Sequence, residues 1–360
     1  MRRQTLTIAL VAALCASTVH AAPQKHKSKP APPSSAAAAQ AVPSAEDKAR
    51  IQALLQYQRD LVTVSALRGD AVHLLGAALL ARPLPDQKPE FTFHRLAERA
   101  AAAPAAGPGV TWLRLADCEG NNCPNAEMLK ELQTQAADNA AMWMLVMDEA
   151  AQKNDDKGVR DALSKAAAAK TYDDYYGIGL QGVASVVGTL PPLPATMQGT
   201  QAGDPKTALG VELLIAFGVA NQHPRPSLKP LLDLCNADRA SKDDALKSDC
   251  LKTAHALEWG SSPIGRAVGL HIHGELDPSA KASTDNDARN LAWQIQNYAE
   301  IGYAALTDNR RAAPLLDAAR SGGTELSLVL STLRTNGVAV EAPQGWQPQT
   351  EAAPASSAGH

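Results

Sequence analysis

Residues 139–170 read NAAMWMLVMDEAAQKNDDKGVRDALSKAAAAK. Within them, Trp143, Val146, Met147 and Ala150 recur at i, i+3, i+4 and i+7, the spacing that puts side chains on one face of a helix. The run 153–156, KNDD, breaks that pattern, because Asn and Asp side chains satisfy nearby backbone groups outside helices. Asp155 or Asp156 then caps a second helix. Val159, Ala162, Leu163 and Ala166 form its apolar face, while Lys157, Arg160, Asp161 and Lys165 stay in water. Neither stripe is buried by one helix alone, so the spacing predicts two antiparallel helices folded on each other.

The preceding unit repeats this layout. Residues 110–140, VTWLRLADCEGNNCPNAEMLKELQTQAADNA, align with the first stretch at a shift of 31 residues: Trp112 falls on Trp143, Leu115 on Val146, Asp117 on Asp148, Met128 on Val159 and Leu132 on Leu163. In order and spacing, Trp143, the polar turn and the series Val159, Leu163, Ala166 resemble a tetratricopeptide-type hairpin. Asn154-Asp155 stands at that family's Gly-Asp turn and Thr171 at its closing proline. The resemblance implies antiparallel hairpins stacked as a TPR-like α-α array with no sheet, and a face that holds a protein or peptide. In whole layout the chain also resembles exported helical proteins of Gram-negative bacteria, a resemblance that implies no activity.

Outward from these units, residues 1–21 read as a secretory signal: Arg2 and Arg3, an apolar core from Leu6 to Ala16, and Val19-His20-Ala21 as a small-x-small cleavage site. Residues 22–45 are Pro, Ala, Ser and Lys with little to bury, and read as a disordered linker. Residues 46–190 read as an N-terminal helical, TPR-like subdomain. The Pro-rich stretch 189–205 is the best internal boundary, 205–340 a C-terminal helical subdomain, and 341–360 a disordered tail. Helices are expected at 51–67, 71–82, 93–103, from Tyr172 to Val187, at 207–221, 227–237, 241–259, 262–276, 285–307, 311–321 and 324–336. Ser241 and Ser262 stand as caps. The 207–221 helix is strongly apolar but too short to span a bilayer. No alternating strand of five or more residues occurs, so the fold class is all-α.

Five cysteines are present, one inside the leader, which leaves four in an oxidising compartment. Sequence neighbours are the expected pairs, Cys118 with Cys123 and Cys235 with Cys250; C-x4-C and C-x14-C lack zinc-ligand spacing. The formal charge of −3 becomes −5 once Arg2 and Arg3 leave with the signal. Charges alternate in sign with no basic stripe, which speaks against nucleic acid.

Common chemistries find little support. His271 and His273, at i and i+2, point to different sides of a helix; His255 and Glu258, at i and i+3, share a face, but no HExxH or second such pair completes a metal site. The run GSSPIG at 260–265 is no GxSxG elbow and reads as a helix break. Glu258 beside Trp259, or Glu275, is the carboxylate on which a single-Glu wall hydrolase would rest. Tyr172, Tyr175, Tyr176, Trp112, Trp143, Trp259 and Trp293 read first as packing residues and second as the lining of a groove. Asp285 and Asp287 read as a helix start rather than a calcium loop. No catalytic, cofactor-binding or metal residue is assigned. The expectation is a periplasmic or secreted helical-repeat protein that binds a protein or peptide in the cell envelope, with no transmembrane anchor after signal cleavage. An envelope hydrolase acting on wall or glycan, and a small-ligand binding protein, are the alternatives.

Overall fold

The structure is a computed structural model that describes residues 44–118, 123–191, 193–194, 199 and 204–348; the expected signal peptide and nearly all of the linker lie outside the described residues. Sixteen α-helices and no strand occur among the described residues. They are α1 (Ala45–Ser65), α2 (Ala71–Ala81), α3 (Phe93–Ala102), α4 (Pro108–Leu113), α5 (Ala126–Gln135), α6 (Ala140–Gln152), α7 (Asp156–Ala168) and α8 (Tyr176–Val187). After the Pro-rich stretch come α9 (Ala208–Ala220), α10 (Lys229–Leu234), α11 (Ala237–Ala240), α12 (Asp244–Glu258), α13 (Pro263–Leu276), α14 (Lys281–Ala305), α15 (Asn309–Arg320) and α16 (Glu325–Thr335).

Most helices start where a short polar side chain accepts from the first turn, so the sequence itself sets the breaks. Ser44 and Asp47 form a reciprocal capping box, and Asp70, Asp155, Thr207, Ser262 and Thr324 each accept from the backbone three residues on. Asp243, not Ser241, caps α12; Ser241 instead follows the single turn of α11. Leu67, expected on the first helix, lies beyond its end and is 81% exposed.

The 139–170 stretch folds as its pattern predicts. Asn139 caps α6, Asp155 caps α7, and Asn154 makes the turn in the left-handed region at φ 54°. Burial on α6 is wider than the predicted stripe and takes in Met142, Met144 and Leu145, because α5, α10 and α12 also pack against it. The preceding unit is built differently. Its first arm is α4 and a single 3-10 turn at Arg114–Ala116, far shorter than α6.

Two large hydrophobic cores result, each drawing helices from both sides of 189–205, and a small third cluster of Leu270, Leu291 and Leu326 joins α13, α14 and α16. One gathers α1, α2, α3, α8, α9, α15, α16 and the C-terminal half of α14. The other gathers α5, α6, α7, α10, α12 and α13. Helix α4 serves both, with Val110 and Leu113 in the first and Trp112 in the second. Besides passing between cores along α4 and from α13 into α14, the chain crosses in two loops, at 171–176 and again at 221–228.

Both expected cysteine pairs stand at bonding distance, 2.20 Å for Cys118–Cys123 and 2.02 Å for Cys235–Cys250. Cys235 ends α10, and the short α11, capped by Asn236, turns the chain so that α12 carries Cys250 back beside it. Closing that loop contributes about 3 kcal/mol by restricting the unfolded chain. The expected tail begins later than 341: residues 339–346 lie along α14. Trp293 Nε1 donates to the Ala339 carbonyl (2.8 Å), Gln294 to Val340 (2.8 Å) and Arg289 to Pro343 (3.0 Å), while Trp346 meets the Trp293 ring edge-on.

The α2–α8 crossing is set by glycine. A Cβ on Gly76 would come within 2.1 Å of the Gly182 carbonyl oxygen, so neither backbone has room to yield. Gly76→Ala should therefore destabilise the protein by about 2 kcal/mol or more, the usual cost of overpacking. Urea denaturation checks this; an unchanged midpoint would mean the helices do not touch as described.

Candidate functional site

The first crossing is an extended polar strand of chain held by side chains. The expected helix from Tyr172 begins only at Tyr176, because the backbone of 171–174 finds partners elsewhere. Asn139 Nδ2 donates to the Asp173 carbonyl (2.7 Å), and the Asp173 N–H donates to Asn139 Oδ1 (2.9 Å). Ala140 N–H donates to the Thr171 carbonyl (2.7 Å), and Ser261 N–H to Tyr172 (2.9 Å). Ser261 Oγ accepts from the Asp174 N–H (3.1 Å) and donates to Asp174 Oδ1 (3.2 Å), while the Ser261 carbonyl accepts from Leu326 N–H (2.9 Å). Tyr175 then takes the left-handed conformation, φ 56°, that aims the chain into α8.

The second crossing, His223-Pro224-Arg225-Pro226, packs directly against the first. Trp112 Nε1 donates to the Pro224 carbonyl (2.9 Å), and the Trp112 ring stacks on His223 at 6.3 Å. His223 Nε2 donates to the Asp174 carbonyl, which leaves Nδ1 buried with no partner. Burial pushes the His223 imidazole down to about 3, so it is neutral here. Arg225 lies over the Tyr176 ring at 4.9 Å and donates to both Glu325 oxygens at 3.3 Å. Glu325 sits in the first turn of α16, where the helix N-terminus favours a carboxylate. Burial nevertheless prevails and holds its carboxyl above the usual range, against the pull of Arg225.

Glu325 also ends a cavity of about 60 Å³, room for about four ordered waters. Tyr176, Phe217, Tyr298 and Tyr303 supply rings to it, with Leu213, Leu306 and Leu315 as aliphatic wall. Asn221, whose Oδ1 accepts from the Tyr176 hydroxyl (3.4 Å), adds a polar group near Glu325. Tyr298, 7% exposed, brings a ring and a hydroxyl to the cavity wall. Burial and the Glu325 charge both hold that hydroxyl protonated. Tyr303, 48% exposed, stands at the rim. The lining is mostly apolar with few polar groups, as in small-molecule sites, in a volume that takes only a few heavy atoms.

Of the residues singled out from sequence, Trp112, Tyr172 and Tyr175 lie along the seam of the two crossings, and only Tyr176 lines the cavity. Trp143 and Tyr172 are core. Glu258 is buried and pairs with His273 Nδ1 at 2.7 Å across the α12–α13 contact, with His255 3.9 Å away. His271 and Glu275 stay apart from them on the exposed side of α13. No group of three or more His, Cys, Asp or Glu able to hold a metal occurs among the described residues. Asp285 and Asp287 lie inside α14, which begins four residues before the expected start. The sequence reading missed Asp174, His223, Arg225 and Glu325. A His and an Arg alternating with prolines in a loop is the one local oddity that marks them.

In comparisons with known proteins, the chain matches no family model, no curated protein and no solved structure.

His223 makes stability depend on pH. Its folded pKa lies below the unfolded value near 6.5, so the unfolded chain takes the proton first. Its stabilising contribution is complete above about pH 6.5 and falls as pH drops towards 3; by pH 5 the loss is about 2 kcal/mol. Glu325, with a raised folded pKa, works in the opposite sense. Urea midpoints at pH 7.5 and pH 5 should therefore fall further in the wild type than in His223→Gln. Parallel losses in the two proteins would contradict this account.

Proposed function

We propose that the protein is an exported binding protein for a small ligand, periplasmic or secreted, with the cavity between α9, α14 and Glu325 as its site. The observation that carries the reading is the cavity itself: four aromatic side chains and an aliphatic wall, with the Glu325 carboxylate and the Asn221 amide among the lining groups. Apolar walls supply the driving force for a short chain of a few heavy atoms, and the polar groups set its orientation. No Ser, Cys or His is among the described residues that line the cavity. Export is supported by the leader read at 1–21 and by two cysteine pairs at bonding distance. Among the described residues no helix is long and apolar enough to cross a membrane.

A partner-binding role in the envelope is the second reading. It is favoured by Trp259, 77% exposed at the α12–α13 turn, with Ile264 42% exposed shortly after it.

Gly302 tests the first reading. It lines the cavity from α14, and a Cβ built on it meets nothing within 4 Å. Gly302→Leu should fold at least as well as the wild type, since replacing a mid-helix glycine gains up to about 1 kcal/mol. It should also fill the cavity. Calorimetry with ethylamine and with ethanol, each small enough for a cavity of about 60 Å³, should give saturable binding of at least one to the wild type and of neither to Gly302→Leu. Binding of neither to the wild type, or equal binding to both proteins, would overturn the assignment.

A further inference from the structure

Beyond α16 the chain lies against a face of α14 that reads main chain rather than side chains. It leaves the helix through Gly337, at φ 69°, and Val338 still packs on the first core. From Ala339 onward α14 holds it. Trp293 Nε1 donates to the Ala339 carbonyl and Gln294 Nε2 to that of Val340, each at 2.8 Å, and Arg289 Nη1 donates to Pro343 at 3.0 Å. Asn290 Oδ1 accepts from the Ala342 N–H at 3.0 Å. Residues 289, 290, 293 and 294 share one helix face because the pairs stand about a turn apart. Ala342 is buried, while Ala339, Glu341 and Pro343 are exposed. This face therefore asks its occupant for open, non-helical main chain and one small side chain.

We propose that this face of α14 is a docking groove for a non-helical peptide segment of another protein, and that residues 339–346 occupy it in cis. Gln294 separates a docking groove from the ordinary packing of a terminus. Its side chain is buried and its Nε2 serves Val340, but its Oε1 is buried with no partner among the described residues. Asn139 shows what such an amide does when its occupant fits, since it meets both the N–H and the carbonyl of Asp173. The tail uses only half of the Gln294 amide, and a buried acceptor left unmet costs on the order of 1–3 kcal/mol. A segment that sets an N–H against Oε1 recovers that cost and displaces the tail. The occupant also carries an aromatic ring. A turn closed from the Trp346 N–H to the Pro343 carbonyl (3.1 Å) brings Trp346 edge-on to Trp293, with ring centroids 5.3 Å apart.

Fluorescence anisotropy on the full chain tests this with a labelled synthetic peptide of residues 337–348, GVAVEAPQGWQP. In the wild type the attached tail competes from an effective concentration in the millimolar range, which holds the free peptide off. Ala342→Pro removes the N–H that Asn290 accepts, and so weakens the attached tail while leaving the α14 face intact. The full chain with Ala342→Pro should bind the peptide about ten-fold or more tighter than the wild type does. Adding Arg289→Ala to that chain should weaken binding about ten-fold, the scale of one charge-assisted hydrogen bond. The same peptide carrying the Ala342→Pro change should bind neither chain. Equal binding of the unchanged peptide to the wild type and to Ala342→Pro would place it elsewhere and overturn the proposal, as would no binding to Ala342→Pro. A wild-type dimer in light scattering that Ala342→Pro dissolves would make a second copy's tail the occupant, and would overturn the assignment to another protein.

Discussion

The hydrogen bonds that clasp residues 171–176 between Asn139 and Ser261 are the interaction on which the rest of this structure depends. A segment crossing between two hydrophobic cores takes its backbone N–H and C=O groups out of water, and each one left unpaired costs on the order of 1–3 kcal/mol. Asn139 meets both polar groups of Asp173, and Ser261 meets Tyr172 and Asp174. The same two residues begin or precede helices of the second core, while Leu326, bonded to Ser261, opens α16 of the first. One short stretch of main chain thus ties α6, α13 and α16 to the start of α8.

Function follows from what that clasp leaves behind. Satisfying the backbone brings carboxylates with it, since Asp173 and Asp174 lie in the segment, and Glu325 follows as the residue beside Leu326. Arg225 offsets part of this charge, and His223 offsets none because burial keeps it neutral. The cavity opens where α9 and α14 fail to close over Glu325, at Gly302, which has no side chain to fill the gap. A polar seam and an apolar pocket share one carboxylate, and the proposed binding role rests on that pocket.

How much of this was legible in the sequence divides by range. The hairpin at 139–170 was readable because its apolar period and its polar turn are local, and Asp155 and Ser262 announced their helices for the same reason. The cysteine pairs were readable because neighbours in sequence close short loops. The start of α8 was misplaced, since Tyr172-Asp173-Asp174 carries a helix-start composition and only the distant Asn139 and Ser261 draw its backbone into an extended path. The tail was misjudged for a similar reason: Pro343 and Trp346 look like linker until Arg289 and Trp293 are brought alongside them. The site was the least legible part. Arg225 and Glu325 stand 100 positions apart; prolines flank Arg225, but nothing beside Glu325 marks it.

The central claim is that the 171–176 seam joins the two cores into one cooperative unit. Native-state amide hydrogen exchange tests it most directly, because it ranks the opening free energy of individual N–H groups. The amides of Ala140, Asp173, Asp174, Ser261 and Leu326 should exchange only with global unfolding, at the same free energy as the innermost amides of α2 and α6. Exchange of the seam amides at a much lower free energy, while both cores stay protected, would contradict the account and leave two separately stable bodies.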